Sequence, residues 1–465
     1  MLFNSLEFIF AFLPLAYVVF WLLPNAKGRY IWLTITGYVF YGWWDPRFCL
    51  LMAFSTLVSY LAGRGMLYYA KGTRERKLCL VVPISIDLAL LGFFKYTNFG
   101  LDTVRSVASI AGVELAVPHL NIILPIGISF YTFHTISYIV DSYRGTITPT
   151  KNLWEFATYV SLFSQLVAGP IVRFRQIEQD LEAIGTSDRA RWFGRGVSFF
   201  CIGLIEKVLV ADTLAAMVDP SFAHWRELST GGAWIAVLGY TFQLLFDFSG
   251  YSTMAVGLGF LFGIRIPQNF NSPYQALNPS DFWERWHISL SSCLRDYLYI
   301  PLGGNRFGTF NTYRNLMFTM LFGGLWHGAS WTFVFWGFYH GALLCTYRLF
   351  KSTWDSMPRI AQRGLMFFFA MTGWVFFRAT TFEESLGILH RMYTPTAGTV
   401  FSDTSMVVVT CTMLIAATWS LAGRNAFEMA HEWTWRRQVA LACAFGAVLA
   451  LIVTARPSPF LYFQF

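Results

Sequence analysis

His327 lies in Gly323–Gly324–Leu325–Trp326–His327–Gly328, with long apolar runs on both sides. Imidazole is suited to taking a proton from a hydroxyl and returning it to a leaving group near neutral pH, and a positioned base contributes about 10²–10⁴-fold in rate. An ionisable side chain at bilayer depth costs about 2.5 kcal/mol or more when charged, so a chain that keeps one there has a use for it. Residue type alone leaves that use open between catalysis and a structural bond to a carbonyl of a broken segment. No metal is expected: His327 and His340 fall about 19 Å apart along a helix, and no two histidines have the i, i+4 spacing of a zinc pair. His134 and His340 read as hydrogen-bonded packing histidines.

The elements that must hold such a residue are membrane helices. Hydrophobic residues make up 55% of the 465, aromatics 19% and charged residues only 13%, too few charges to clothe a soluble body of that length. Apolar stretches of spanning length recur at 8–23, 48–69, 78–94, 122–140, 234–262 and 439–453. The pattern predicts an all-α polytopic membrane protein of roughly a dozen passes, some of them incomplete. No shift in composition marks a boundary, so residues 1–465 read as a single integral domain. Met1–Glu7 has no basic residue and no small-residue cleavage site follows Leu23, so the first stretch reads as a retained helix. The seven cysteines are scattered singly and read as buried thiols. The net charge of +8 belongs mainly to short loops, where it reports orientation and not nucleic-acid binding.

Lys27 with Arg29, Lys71 to Lys77, and the stretch from Arg173 to Arg195 are the basic connections, and the positive-inside rule puts them in the cytoplasm. The segments Trp154–Val172 and Leu316–Phe350 then begin and end on the same side, so each is expected to enter and return. Broken backbone of that kind survives only inside protein or along a wet cavity. Gln165, Gly169 and Pro170 are expected to break the first segment, and Gly323, Gly324 and Gly328 the second. The same count sends the last helix outward and puts residues 456–465 outside the membrane as an extracytoplasmic tail.

Residues 279–300 open with Asn278–Pro279–Ser280 and Asp281, a helix start signal, and then alternate polar and aromatic residues at helical spacing. This predicts one amphipathic helix at the cytoplasmic surface; an interfacial anchor and a functional helix remain equally open. Arg285, Arg295, Arg306 and Arg314 cluster there by sequence and suit the phosphates of an anionic donor, or else simply obey the charge rule. Asp247, inside an apolar run, reads as structural.

Five motifs run through the middle of the chain: Phe246–Asp247–Phe248–Ser249–Gly250–Tyr251; Asn269–Phe270–Asn271–Ser272–Pro273–Tyr274; Phe282–Trp283–Glu284–Arg285–Trp286–His287; Arg295–Asp296–Tyr297 through Gly303–Gly304–Asn305; and Leu325–Trp326–His327–Gly328. Together they closely resemble the membrane-bound O-acyltransferase family, in its bacterial polysaccharide-acetylating branch. The resemblance implies a bundle of transmembrane and re-entrant helices around a central cavity in the bacterial inner membrane. It implies acetyl-CoA as a cytoplasmic donor substrate, with no bound cofactor, and an alginate-like or cellulose-like polysaccharide beyond the membrane as acceptor. The implied partners are a periplasmic SGNH-type acetyltransferase or accessory protein and a polysaccharide synthase complex, besides the lipid bilayer itself. His327 matches the family's essential histidine and His287 a second important one. Ser164, Thr253 and Cys293 depart from the pattern, standing where a proline, an acidic residue and a tryptophan are expected; none of them bears on His327, though they weaken the choice of polymer.

Acyl transfer requires a base for the acceptor hydroxyl and donors for the developing oxyanion. His327 fits the base, and Trp283, Arg285, Arg295, Asn305 and Trp326 are expected to line the substrate site. The tail Phe460–Leu461–Tyr462–Phe463–Gln464–Phe465 matches the Phe-x-Tyr-x-x-Phe ending that this branch is thought to use as an acyl carrier; an aromatic anchor of the last helix is the plain alternative. A phenol, with a pKa of about 10, and a thiol, at about 8.5, are comparable leaving groups, so acetyl on Tyr462 would keep much of the thioester's transfer potential. A polysaccharide or ion transporter would also have broken helices but predicts repeated halves, which the sequence lacks. A lipid or protein acyltransferase of the same superfamily would share His327 but use a longer acyl donor.

Overall fold

The computed structural model describes every residue except 117, 187, 430, 432–433, 455–459 and 462–465. Among the described residues the regular structure is helical, apart from one isolated bridge between Leu228 and Thr399. Helices satisfy their own backbone hydrogen bonds, which hydrocarbon cannot do for them. Arg47–Tyr68, Arg74–Ile110, Thr230–Leu261, Arg359–Arg378 and Trp435–Thr454 are long and apolar enough to cross a membrane, and Phe8–Leu22 and Met406–Ala422 are shorter apolar helices.

The chain forms two compact units, Met1–Phe193 with Gly259–Ile266, and Gly194–Leu258 with Pro267–Phe465. In the first, the segment expected to break does so: the Leu153–Ser161 helix stops at Leu162, one turn follows at Phe163–Leu166, and irregular chain runs on to Arg173. Its freed carbonyls are met from within. Gln165 Nε2 donates to the Tyr159 carbonyl at 2.6 Å, and the Tyr159 hydroxyl reaches the carbonyls of Val172 at 3.0 Å and His134 at 3.1 Å. His134 is fully buried against the Tyr159 ring, but neither ring nitrogen has a hydrogen-bond partner among the described residues. It packs without the bond expected of it.

The second unit holds His287 and His327. The Thr230–Leu261 helix, which belongs to it through Leu258, is buried along its apolar length. Leu316–Phe350 folds as a hairpin of two long helices, Gly308–His327 and Trp331–Leu349. Gly328 alone breaks it. Gly323 and Gly324 stay helical, and Gly324 instead lets the two helices touch: a Cβ there would meet the Phe333 carbonyl oxygen at 2.2 Å, and one on Gly337 would meet the Met320 carbonyl oxygen at 2.3 Å. The cysteines also differ from expectation. Cys293 is fully buried, whereas Cys411 and Cys443 are exposed on their helices. Of the expected outward tail, only Phe460 and Leu461 are described; both are buried in this unit, and Tyr462 lies outside the described residues.

Backbone cannot retreat as a flexible side chain can, so Gly324→Ala should push the hairpin apart at a cost of about 1–3 kcal/mol. Thermal unfolding of the detergent-held protein should show a lowered midpoint for Gly324→Ala. Gly364→Ala, inside the Arg359–Arg378 helix and with nothing within 4 Å, should hold or slightly raise the midpoint, because alanine is the better helix former.

Candidate active site

The helix start read from sequence is realised at Asn278, whose side chain accepts the Asp281 amide at 2.9 Å and so caps the Pro279–Arg285 helix. Asp281 in turn accepts the Leu277 amide at 2.8 Å and the Arg285 guanidinium at 2.6 Å. The single amphipathic helix expected over 279–300 does not form. Trp286 is extended, His287 is left-handed at φ 45° and ψ 53°, and a second helix begins at Ile288. Two backbone bonds hold the bend, from the Asn271 amide to the Arg285 carbonyl and from the Ile288 amide to the Asn269 carbonyl, each 2.9 Å. Residues remote in sequence thus override the local helical period. Nor is the aromatic face an interfacial anchor, since Phe282, Trp286 and His287 are all buried. A left-handed residue with a side chain costs on the order of 1 kcal/mol and persists only where its surroundings over-determine it.

Asn269 supplies that determination. Its Oδ1 is met by the Ser289 amide at 3.1 Å, the Ser289 hydroxyl at 2.8 Å and His287 Nδ1 at 3.2 Å, while its Nδ2 donates to the Ser252 hydroxyl at 3.1 Å. A backbone N–H can only donate, so the Asn269 atom facing it is the oxygen. An oxygen there requires His287 Nδ1 to carry the hydrogen. In the neutral imidazole the proton-accepting lone pair is therefore on Nε2.

His327 is the last residue of the Gly308–His327 helix and is buried. Its ring centroid is 6.2 Å from that of His287, and Trp326 lies beside both, 6.0 Å from His287 and 5.0 Å from His327. Trp336 and Phe377 stand edge-on to His327 at 5.1 and 5.2 Å, and Phe248 edge-on to His287 at 4.7 Å. Trp283 belongs to the next layer, against Trp336 at 5.7 Å and His340 at 5.1 Å. Edge-to-face aromatic contacts contribute about 0.5–1.5 kcal/mol each beyond burial, so the wall that surrounds the histidines is also stabilising.

The other residues expected at the site have partners of their own. Arg285 is engaged by Asp281 and the Asn271 carbonyl, exposed Arg295 by Asp296, and exposed Asn305 accepts from Tyr299 and Arg348. Behind Asn269 a cavity of about 50 Å³ is lined by Glu206, Ser249, Ser252, Thr253 and Asn425 among others, room for a few ordered waters. Thr253, where the resemblance leads one to expect an acid, lies 3.4 Å from the Glu206 carboxylate, which Ser249 also reaches at 3.0 Å. The acidic group at this spot comes from the Ile205–Asp212 segment instead. Sequence reading missed Asn269 as the orienter of His287, and missed Lys207 as the partner of Asp247. The signal for Lys207 was present, an ionisable pair, Glu206–Lys207, inside an otherwise apolar run.

The sequence pattern of the membrane-bound O-acyltransferase family matches residues 119–383, which include both histidines. The chain is 47% identical over 399 residues, 84% of its length, to the probable alginate O-acetylase AlgI of Azotobacter vinelandii, and covers 77% of that protein. It is 36% identical over 425 residues, 84% of its length, to the peptidoglycan O-acetyltransferase of Helicobacter pylori, covering 80% of it. A more distant relative, the teichoic acid D-alanyltransferase of Bacillus subtilis, is 31% identical over 247 residues, half of this chain and 61% of that protein.

If Asn269 sets the tautomer of His287, Asn269→Ala should lower the rate of acyl transfer about 10²-fold, with KM for the donor nearly unchanged. Asn269→Asp, which still presents an oxygen to Nδ1–H, should recover most of that loss. Steady-state kinetics on the purified protein compare the two.

Proposed function

This chain belongs to the membrane-bound O-acyltransferase family, and from that premise we propose that it takes acetyl from cytoplasmic acetyl-CoA and passes it across the bacterial inner membrane to hydroxyls of a polysaccharide. The observation that carries this reading is the buried pair of imidazoles, 6.2 Å apart, one with its hydrogen-bonding nitrogen assigned by Asn269. The names of the relatives support the group and the class of acceptor: two are O-acetylating enzymes, and their acceptors, alginate and peptidoglycan, are polysaccharides.

The sequence gives the proton to His327. The hydrogen bonds support giving it to His287, whose acceptor nitrogen is defined, in the manner of a base oriented by a neighbouring amide. In the proposed step His287 Nε2 takes the proton of the attacking hydroxyl as its oxygen bonds to the thioester carbonyl carbon. The tetrahedral intermediate then expels the thiolate, which recovers that proton. His327, at the helix end, donates a hydrogen bond to the carbonyl oxygen as negative charge develops there. Trp326, Trp336, Phe377 and Phe248 keep water from competing with the acceptor hydroxyl. The attacking hydroxyl of the first transfer is the Tyr462 phenol, and a second transfer moves acetyl from Tyr462 to the sugar or to a periplasmic transferase. Burial of Phe460 and Leu461 in the unit that holds the histidines supports this use of the tail.

Incubation with acetyl-CoA should put an acetyl group on Tyr462, read by mass spectrometry of the C-terminal peptide and absent from Tyr462→Phe. An unlabelled wild-type tail, under conditions that support polymer acetylation, contradicts the relay. The two histidines separate by a second substitution: glutamine can donate a hydrogen bond but is no base. His287→Gln should therefore lose about 10²–10⁴-fold and His327→Gln distinctly less; the reverse order would return the base to His327.

A further inference from the structure

Asp247 carries two carboxylate oxygens into the interior of the second unit, where it is almost fully buried. Oδ1 pairs with the equally buried ammonium of Lys207, which also holds Asp212 at 2.6 Å. Oδ2 accepts the backbone amide of Leu461 at 3.1 Å, from a residue 214 positions along the chain. Beside it the Phe460 ring packs against Tyr251 at 4.7 Å and Phe248 at 6.0 Å, and the other side of that contact chain is Phe248 against His287 at 4.7 Å. The tail thus meets the core through a charge-assisted hydrogen bond and an aromatic contact, one ring removed from His287.

We propose that Asp247, held in place by Lys207, is a positioning residue that docks the C-terminal segment beside the histidine site. The chemistry is that of a buried carboxylate whose second oxygen needs a donor. The tail amide supplies that donor from within the protein. Lys207, bonded to the other oxygen, fixes the direction of the carboxylate, and Asp212 helps to hold the lysine. With Leu461 pinned, the next residue begins within one Cα–Cα step, about 3.8 Å, of a fixed point. Here the inference rests on the reading of Tyr462 as acyl carrier: an anchor one residue before the phenol converts its encounter with the thioester into a local event.

The anchor is testable apart from the chemistry. Asp247→Asn keeps the shape but has one acceptor oxygen, which Lys207 claims, so its NH₂ faces the Leu461 amide, donor against donor. Leu461→Pro removes the amide and leaves the ion pair intact. In the full-length protein in nanodiscs, carboxypeptidase should trim the tail about tenfold or more faster in either variant than in wild type. The double variant should be no faster than either single, because both remove the same bond. Asp212→Asn, which spares the Asp247–Leu461 bond, should be trimmed at the wild-type rate. Wild-type trimming of Asp247→Asn and Leu461→Pro, or effects that add in the double variant, would overturn the proposal. Acetyl transfer is read separately: labelling of Tyr462 should fall about tenfold in both single variants. A wild-type tail that never labels contradicts the carrier reading, while the trimming rates still decide the anchor.

Discussion

A polar group shut away among apolar helices costs free energy unless it finds hydrogen-bond partners within the chain, because lipid supplies none. In the second unit that constraint places the parts that matter. Asn269 turns one amide toward Ser252 and its oxygen toward Ser289 and His287. Remove the oxygen and a buried amide, a hydroxyl and an imidazole nitrogen all lose a partner, at about 1–3 kcal/mol for each orphaned group. The left-handed bend at His287 exists because these bonds, with the two backbone bonds from 269–271, outweigh the local preference to continue as a helix.

From that one orientation the remainder follows. The bend brings the His287 ring to the end of the Gly308–His327 helix, and Gly328 stops that helix directly after His327. Gly324 and Gly337 let the hairpin close tightly enough for Trp336 to stand over His327. In the proposed transfer, two imidazoles, one with a defined tautomer, inside an aromatic wall would offer a proton a route between oxygen and sulfur. That is what acyl transfer to a hydroxyl demands and what hydrolysis must be denied.

Much of this was legible in the sequence, and the failures have physical causes. Membrane character followed from composition, the irregular chain at 167–173 from Gly169 and Pro170, although Gln165 itself stays in a helical turn, and the helix start at Asn278 from its capping pattern; each is set by local residues. The Pro279–Ile300 segment misled because periodicity sees only neighbours, while the bend is imposed by Asn269 and Asn271. Gly323 and Gly324 misled for a related reason: a glycine that breaks a helix and a glycine that lets two helices touch look alike in one dimension. The charge count speaks only to the side on which the tail lies; that Asp247 and the Phe248 and Tyr251 rings bury Phe460 and Leu461 within the protein is set by the fold. His287 and His327 were found as residue types and motifs, but which nitrogen holds the hydrogen required the fold.

The most direct measurement is a cryo-electron-microscopy map of the protein in nanodiscs with a non-transferable analogue of acetyl-CoA. If His287 and His327 form the reacting centre, the analogue's carbonyl should lie between the two rings, within hydrogen-bond reach of His287 Nε2 or one water from it, and with its oxygen toward His327. Density for the acyl end elsewhere in the protein, with the histidine pair closed over itself, would contradict that assignment.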